Sequence, residues 1–92
     1  MKTFGDFIKI KREQLGIPQR KIAAQLDIDT STLSKIERNE RRVTSSMLNV
    51  FSKELDIKLE VVEFEFLKDA IHSEFKDLKF LKKNLTKIVS EL

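Results

Sequence analysis

Backbone punctuation is scarce in this chain. Gly5, Gly16 and Pro18 are its only glycines and proline. Charged helix formers dominate the rest, so any strand would compete with a strong helical bias, and the expected fold class is all-α. Ninety-two residues make one domain, or one domain with an appendage, and a chain of this length buries only a modest share of its surface. The absence of cysteine removes disulfides and thiolate zinc sites as sources of stability. Hydrophobic packing must then hold the fold, alone or with a partner subunit. No apolar run approaches ~18 residues, and the first residues lack the basic-then-apolar plan of a secretion signal. The expectation is a cytoplasmic protein without a membrane partner.

Apolar spacing divides the first half into four helices. Phe4, Phe7, Ile8 and Leu15 share one face of the first. Gly16 can take the left-handed conformation that ends a helix, and Pro18 suits the first turn of the next, over roughly residues 18–26. That second helix turns Ile22, Ala23 and Leu26 inward. Asp27-Ile28-Asp29 follows as a turn, with Asp29 placed to cap a third helix over about residues 30–37. Leu33 and Ile36 form its inner face, and Thr30, Ser31, Ser34 and Lys35 its outer one, with Arg38 close by. Asn39 tolerates the positive φ that stops it. Thr44 then caps a fourth helix running through Leu55, with Met47, Leu48, Phe51 and Leu55 inside.

The second half is less regular. Ile57, Leu59 and Val61, then Val62, Phe64 and Phe66, alternate like a strand that changes face. The same stretch also gives Ile57, Val61, Phe64, Leu67, Ile71 and Phe75 at helical steps, with Asp56 as N-cap. Its continuation through Ala70 and Ile71 without a turn residue favours the helix, but both readings stay open over residues 57–66. Leu78, Leu81, Leu85, Ile88 and Leu92 step 3, 4, 3, 4, a seam suited to helix–helix packing though only about two heptads long.

Charge follows the same division. Residues 1–42 carry ten basic and six acidic side chains, a net +4, whereas residues 43–92 carry a net −1. A basic first half points to a polyanion-binding module followed by a structural one. Within it, residues 18–38 combine a short helix, a tight turn and a second helix that shows small hydroxyls and a lysine outward. Short side chains let such a helix approach base edges in the major groove, and a lysine one turn later can donate to guanine.

The stretch PQRKIAAQLDIDTSTLSKIERNERR (18–42), inside a frame beginning FGDFIKIKREQLG, resembles the lambda-repressor-like (Cro/C1-type, xenobiotic-response-element) helix-turn-helix proteins. The likeness covers residues 4–55. It rests on Gln19 opening the second helix, Ala23 at the helix crossing, Ile28 in the turn, and Ser34-Lys35-Ile36-Glu37-Arg38 closing the third helix. Asp27 and Asn39 stand where this family has glycine, Pro18 replaces a capping Ser or Thr, and Val43 a common proline. The resemblance implies about five helices that bind double-stranded DNA, usually as a homodimer on inverted repeats. It implies base reading by Thr30, Ser31 and Lys35, with Thr32 and Ser34 at the margins. It places Gln19, Arg38, Asn39, Arg41 and Arg42 at phosphates, and makes Arg12 and Glu37 an internal ion pair.

Residues 1–56 are thus expected to form the DNA-binding domain. Residues 57–92 are expected to form a helical extension that dimerises through Phe64, Leu67, Ile71, Phe75, Leu78, Leu81, Leu85 and Ile88. A sequence-specific transcriptional regulator of the autoregulatory or restriction–modification type follows. The alternative is an antitoxin or adaptor whose C-terminal helices hold another protein. His72 has no partner at ligand spacing, so no metal or cofactor is expected. Phe64, Phe66, Phe75 and Phe80 read as core or interface, and Lys79, Lys82, Lys83 and Lys87 as a solvated edge. Without a glycine-rich phosphate loop, a Cys–His pair or room for a closed site, no enzymatic activity is expected.

Overall fold

The computed structural model describes residues 2–92. It contains α1 (Phe4–Gln14), α2 (Gln19–Leu26), α3 (Thr30–Glu37), α4 (Ser45–Glu54), α5 (Leu59–Phe75) and α6 (Leu81–Glu91), with no strand among the described residues. The open question over residues 57–66 is therefore settled against a strand: residues 59–66 are helical, and residues 57 and 58 lie before α5.

The helix starts differ in how their free amides are met. Thr3 begins α1 with a capping box. Its hydroxyl accepts from the Asp6 amide at 3.1 Å while the Asp6 carboxylate accepts from the Thr3 amide at 3.2 Å. Asp29 caps α3, accepting from the Thr32 amide at 2.7 Å. Pro18 stands one residue before α2 in extended backbone, at the N-cap instead of the expected first turn, and gives no side-chain cap. Thr44 occupies the N-cap of α4, but its hydroxyl meets that of Ser46 and no helix amide. Asp56 is not the expected cap of α5, whose N-cap is Lys58.

Four helix ends use one device. Gly16, Asp27, Asn39 and Asp56 take positive φ values of 69°, 57°, 63° and 51°. In each case the next amide donates to a carbonyl five residues back: Ile17 to Arg12, Ile28 to Ala23, Glu40 to Lys35 and Ile57 to Ser52. This is the Schellman closure, which satisfies carbonyls that a helix end leaves free. Asp56 takes the left-handed position because α4 has ended, so it cannot start α5. In three of the four the following residue is isoleucine, and Ile17, Ile28 and Ile57 all pack onto the core.

That core gathers Phe4, Ile8, Ile22, Ala23, Leu33, Ile36, Leu48, Phe51, Leu55 and Val62. Phe4 meets the rings of Phe51 and Phe66 edge-on, which places α1 between α4 and α5. Leu15 is exposed at the C-cap of α1 and leaves the inner face it was assigned by spacing; Arg12 takes that place. The core also crosses residue 56, since Val62 is fully buried while Leu59 and Phe66 pack against it. α5 is apolar on two sides. Val62 and Phe66 face the core, whereas Phe64 and Leu67 are 60% and 57% exposed.

Beyond Phe75 the chain turns through residues 76–80, so Leu78 lies outside any helix and the seam from Leu78 to Leu92 is not one helical face. α6 buries no residue. Between it and α5 runs an apolar groove of about 560 Å³, floored by Phe64, Leu67, Ile71, Leu81 and Leu85 and edged by Lys68, His72, Lys76 and Lys82.

Candidate nucleic-acid interface

α2 and α3 form the helix-turn-helix, and α3 divides cleanly by face. Leu33 and Ile36 point into the core, whereas Thr30, Ser31 and Lys35 are exposed and Thr32 and Ser34 are half-buried. Helical spacing puts residues 30, 31, 34, 35 and 38 on one outer strip. Hydrogen bonding to Thr32, through its side chain and then its backbone, holds the Asp29 carboxyl below the usual carboxylate range. The positive charges of Lys35 and Arg41 push it the same way.

A polar network behind this strip sets the angle between the helices. The Arg12 guanidinium donates to both oxygens of Glu37, at 2.7 and 3.0 Å, and to the Ile17 carbonyl at 2.9 Å. The two side chains are 11% and 2% exposed. Gln19 donates to Glu37 at 2.9 Å and accepts from the Ser34 hydroxyl at 3.0 Å. α1, α2 and α3 are thus joined by one chain of hydrogen bonds, and no buried side-chain polar atom among the described residues lacks a partner. The bond to Glu37 holds the Arg12 pKa above its ordinary value, against the opposing effect of burial.

The loop after α3 is tied to the start of α1, which α5 also meets. Asn39 accepts from the Gly5 amide at 3.1 Å and donates to the Thr3 hydroxyl, while the Asp69 carboxylate of α5 accepts from the Phe4 amide at 3.0 Å. Two distant side chains therefore satisfy first-turn amides of α1. Gly5 makes this approach possible. A Cβ there would meet the Ile36 carbonyl and lie 2.7 Å from that of Glu37. Arg38 pairs with Glu40 and Arg42 with Glu74, all four exposed, and Arg41 forms no ion pair among the described residues.

Of the residues singled out by sequence, Thr30, Ser31, Lys35, Arg38, Arg41 and Arg42 are exposed. The Gln19, Ser34 and Asn39 side chains are engaged within the fold. Asp69, Gly5 and Glu74 were not anticipated. Gly5, sitting inside a helix with so few glycines in the chain, was the one signal available for them. Among the described residues no cluster of His, Asp or Glu is placed to hold a metal, and no helix is long and apolar enough to cross a membrane.

A family model described as helix-turn-helix matches residues 8–62, more than half of the chain. No curated protein and no solved structure matches it. The matched span ends on Val62, where α5 enters the core, and encloses the α2–α3 unit and the arginine loop. The chain belongs to the lambda-repressor-like, Cro/C1-type helix-turn-helix family and is a DNA-binding transcriptional regulator.

Proposed function

We propose that the protein acts as a homodimer on a short inverted-repeat operator, with Thr30, Ser31 and Lys35 reading base edges in the major groove. The observation that carries this is the exposed outer strip of α3, bare of side-chain partners at these three residues among the described residues and followed by Arg38, Arg41 and Arg42. Thr32 and Ser34 stand at the margins of these three readers. The arginines meet phosphates on either side of it, and Asn39 holds their loop in place. Gln19 meets a phosphate through its backbone amide, at a helix start that Pro18 leaves without a side-chain cap.

Dimerisation is supported by apolar surface that one chain leaves uncovered. Phe64, Leu67, Phe75, Leu78 and Ile88 are exposed, and Ile71, Leu81 and Leu85 only half-buried. A two-fold pairing through them sets two α3 helices about one DNA turn, ~34 Å, apart. Selection of bound duplexes from a random pool tests the whole reading. Inverted half-sites at that spacing are expected, and unrelated sequences would overturn it. Lys35→Ala tests the reader: discrimination at one guanine should fall by ~1–3 kcal/mol while binding to random DNA changes little.

A second reading has its own support. The groove between α5 and α6 is apolar at its floor and edged only by basic side chains, a surface that suits an acidic amphipathic segment of another protein. In that case the chain is an antitoxin or adaptor that also binds DNA. Sedimentation separates the two, because self-association at micromolar concentration favours the homodimer and a monomer favours the second partner.

A further inference from the structure

Two of the three arginines in the loop after α3 already hold an anion. Arg38 is paired with Glu40 inside the loop, and Arg42 with Glu74 in the last turn of α5, thirty-two residues away in the chain. Arg41, between them, has no such partner among the described residues. Burial does not force these pairings. The Arg42 side chain is 87% exposed, and ion pairs this open add little to folding. A carboxylate, however, offers a guanidinium the same pair of anionic oxygens as a phosphodiester. A phosphate that engages Arg38 or Arg42 therefore exchanges one anion for another instead of meeting a bare cation.

We infer that Glu40 and Glu74 set the protein's affinity for DNA by competing with the phosphate backbone for Arg38 and Arg42. The inference rests on the reading of this loop as a phosphate contact. It predicts an order among the arginines that sequence position alone does not. Arg41 contributes its full share to any duplex, whereas its neighbours contribute only what remains after a carboxylate is displaced. Because backbone contacts supply almost all sequence-independent binding, the effect falls on random DNA as well as on the operator. Glu74 lies on α5, so the competition also reports how α5 is placed against the loop.

A double-mutant cycle tests this on the full chain, with a random-sequence duplex at fixed salt. Glu74→Gln keeps the shape of the side chain and removes its charge, and should tighten binding about three-fold, the strength of an exposed ion pair. Glu40→Gln should act similarly through Arg38. Removing any negative charge near DNA also relieves repulsion, so the deciding measurement is Glu74→Gln in an Arg42→Ala background. The gain should vanish there. A gain of the same size in that background would make Glu74 a mere repulsive charge and overturn the inference, as would unchanged binding of the single variant. Should Arg42→Ala leave affinity untouched even in the Glu74→Gln background, the phosphate reading of the loop fails instead. Melting curves within a few degrees of the parent protein confirm that each variant is folded.

Discussion

At the scale of single residues, the side chain that most determines the helix-turn-helix geometry is Glu37. It accepts from Arg12 twice and from Gln19 once, at 2% exposure, so it fixes all three helices. Glu37→Ala would leave the guanidinium with only the Ile17 carbonyl. Stranding a nearly buried charge in this way costs about 3 kcal/mol. For a chain of this size that lowers the melting temperature by roughly 12–24 °C. Calorimetry decides it, and a variant melting within a few degrees of the parent would show that the pair contributes little. Arg12 itself brings no pH sensitivity in any ordinary range, because its pKa is raised and the guanidinium stays charged.

Acid acts at Asp29. Its carboxyl is held below the ordinary range by Thr32, so the anionic cap favours the folded state. The group's folded pKa is lowered, so its contribution is complete above the unfolded value, about pH 4, and disappears as pH falls through the folded one. Asp29→Ala should therefore melt below the parent by a constant margin near neutrality. That margin should shrink progressively below about pH 4. A margin that stayed constant into strong acid would mean the cap does not depend on charge.

At the scale of elements, α5 belongs to the core through Val62, which is fully buried. Val62→Ala should destabilise by about 2 kcal/mol, from lost burial and the cavity left behind. Denaturant midpoints measure it, and a loss near zero would detach α5 from the core. Spacing and turn residues revealed the first four helices and their inner faces, apart from Leu15, because each has one apolar stripe bounded by a turn residue. It left residues 57–66 open because α5 carries apolar residues toward both the core and solvent, so no single stripe stands out. The mistaken cap at Asp56 has a similar cause. Aspartate is a common helix N-cap and can also take the left-handed position after a helix end, at some cost. Leu55-Asp56-Ile57 repeats Leu26-Asp27-Ile28, and both aspartates have positive φ. That repetition was readable in the chain and identifies the second turn from the first. The exposed strip of α3 was legible from outward spacing together with family resemblance. The engagement of Gln19 with Glu37 and Ser34 was not, because it depends on the angle at which three helices meet.

At the scale of the whole molecule, the shape is long for its mass. The radius of gyration is 14.5 Å, with extents of 41 × 24 × 22 Å. A compact chain of this length would give about 12 Å. An eleven-residue helix is marginal in water without something to pack against, and α6 buries no residue in the single chain. A chain ending at Lys76 keeps every buried residue. Measured too dilute for association, it should melt within a few degrees of the full-length protein, and a drop beyond about 10 °C, above ~1 kcal/mol, would show that α6 supports the core. α5, by contrast, reaches the first turn of α1 through Asp69 and the arginine loop through Glu74. On the proposed reading, in which this loop meets phosphate, the second of these bonds couples α5 to DNA binding. Any ligand of α5 that prefers one setting of this strap changes operator affinity by some factor. Thermodynamic reciprocity then requires the operator to change that ligand's affinity by the same factor. A labelled duplex is accordingly a sensor for any such ligand, even when its identity is unknown.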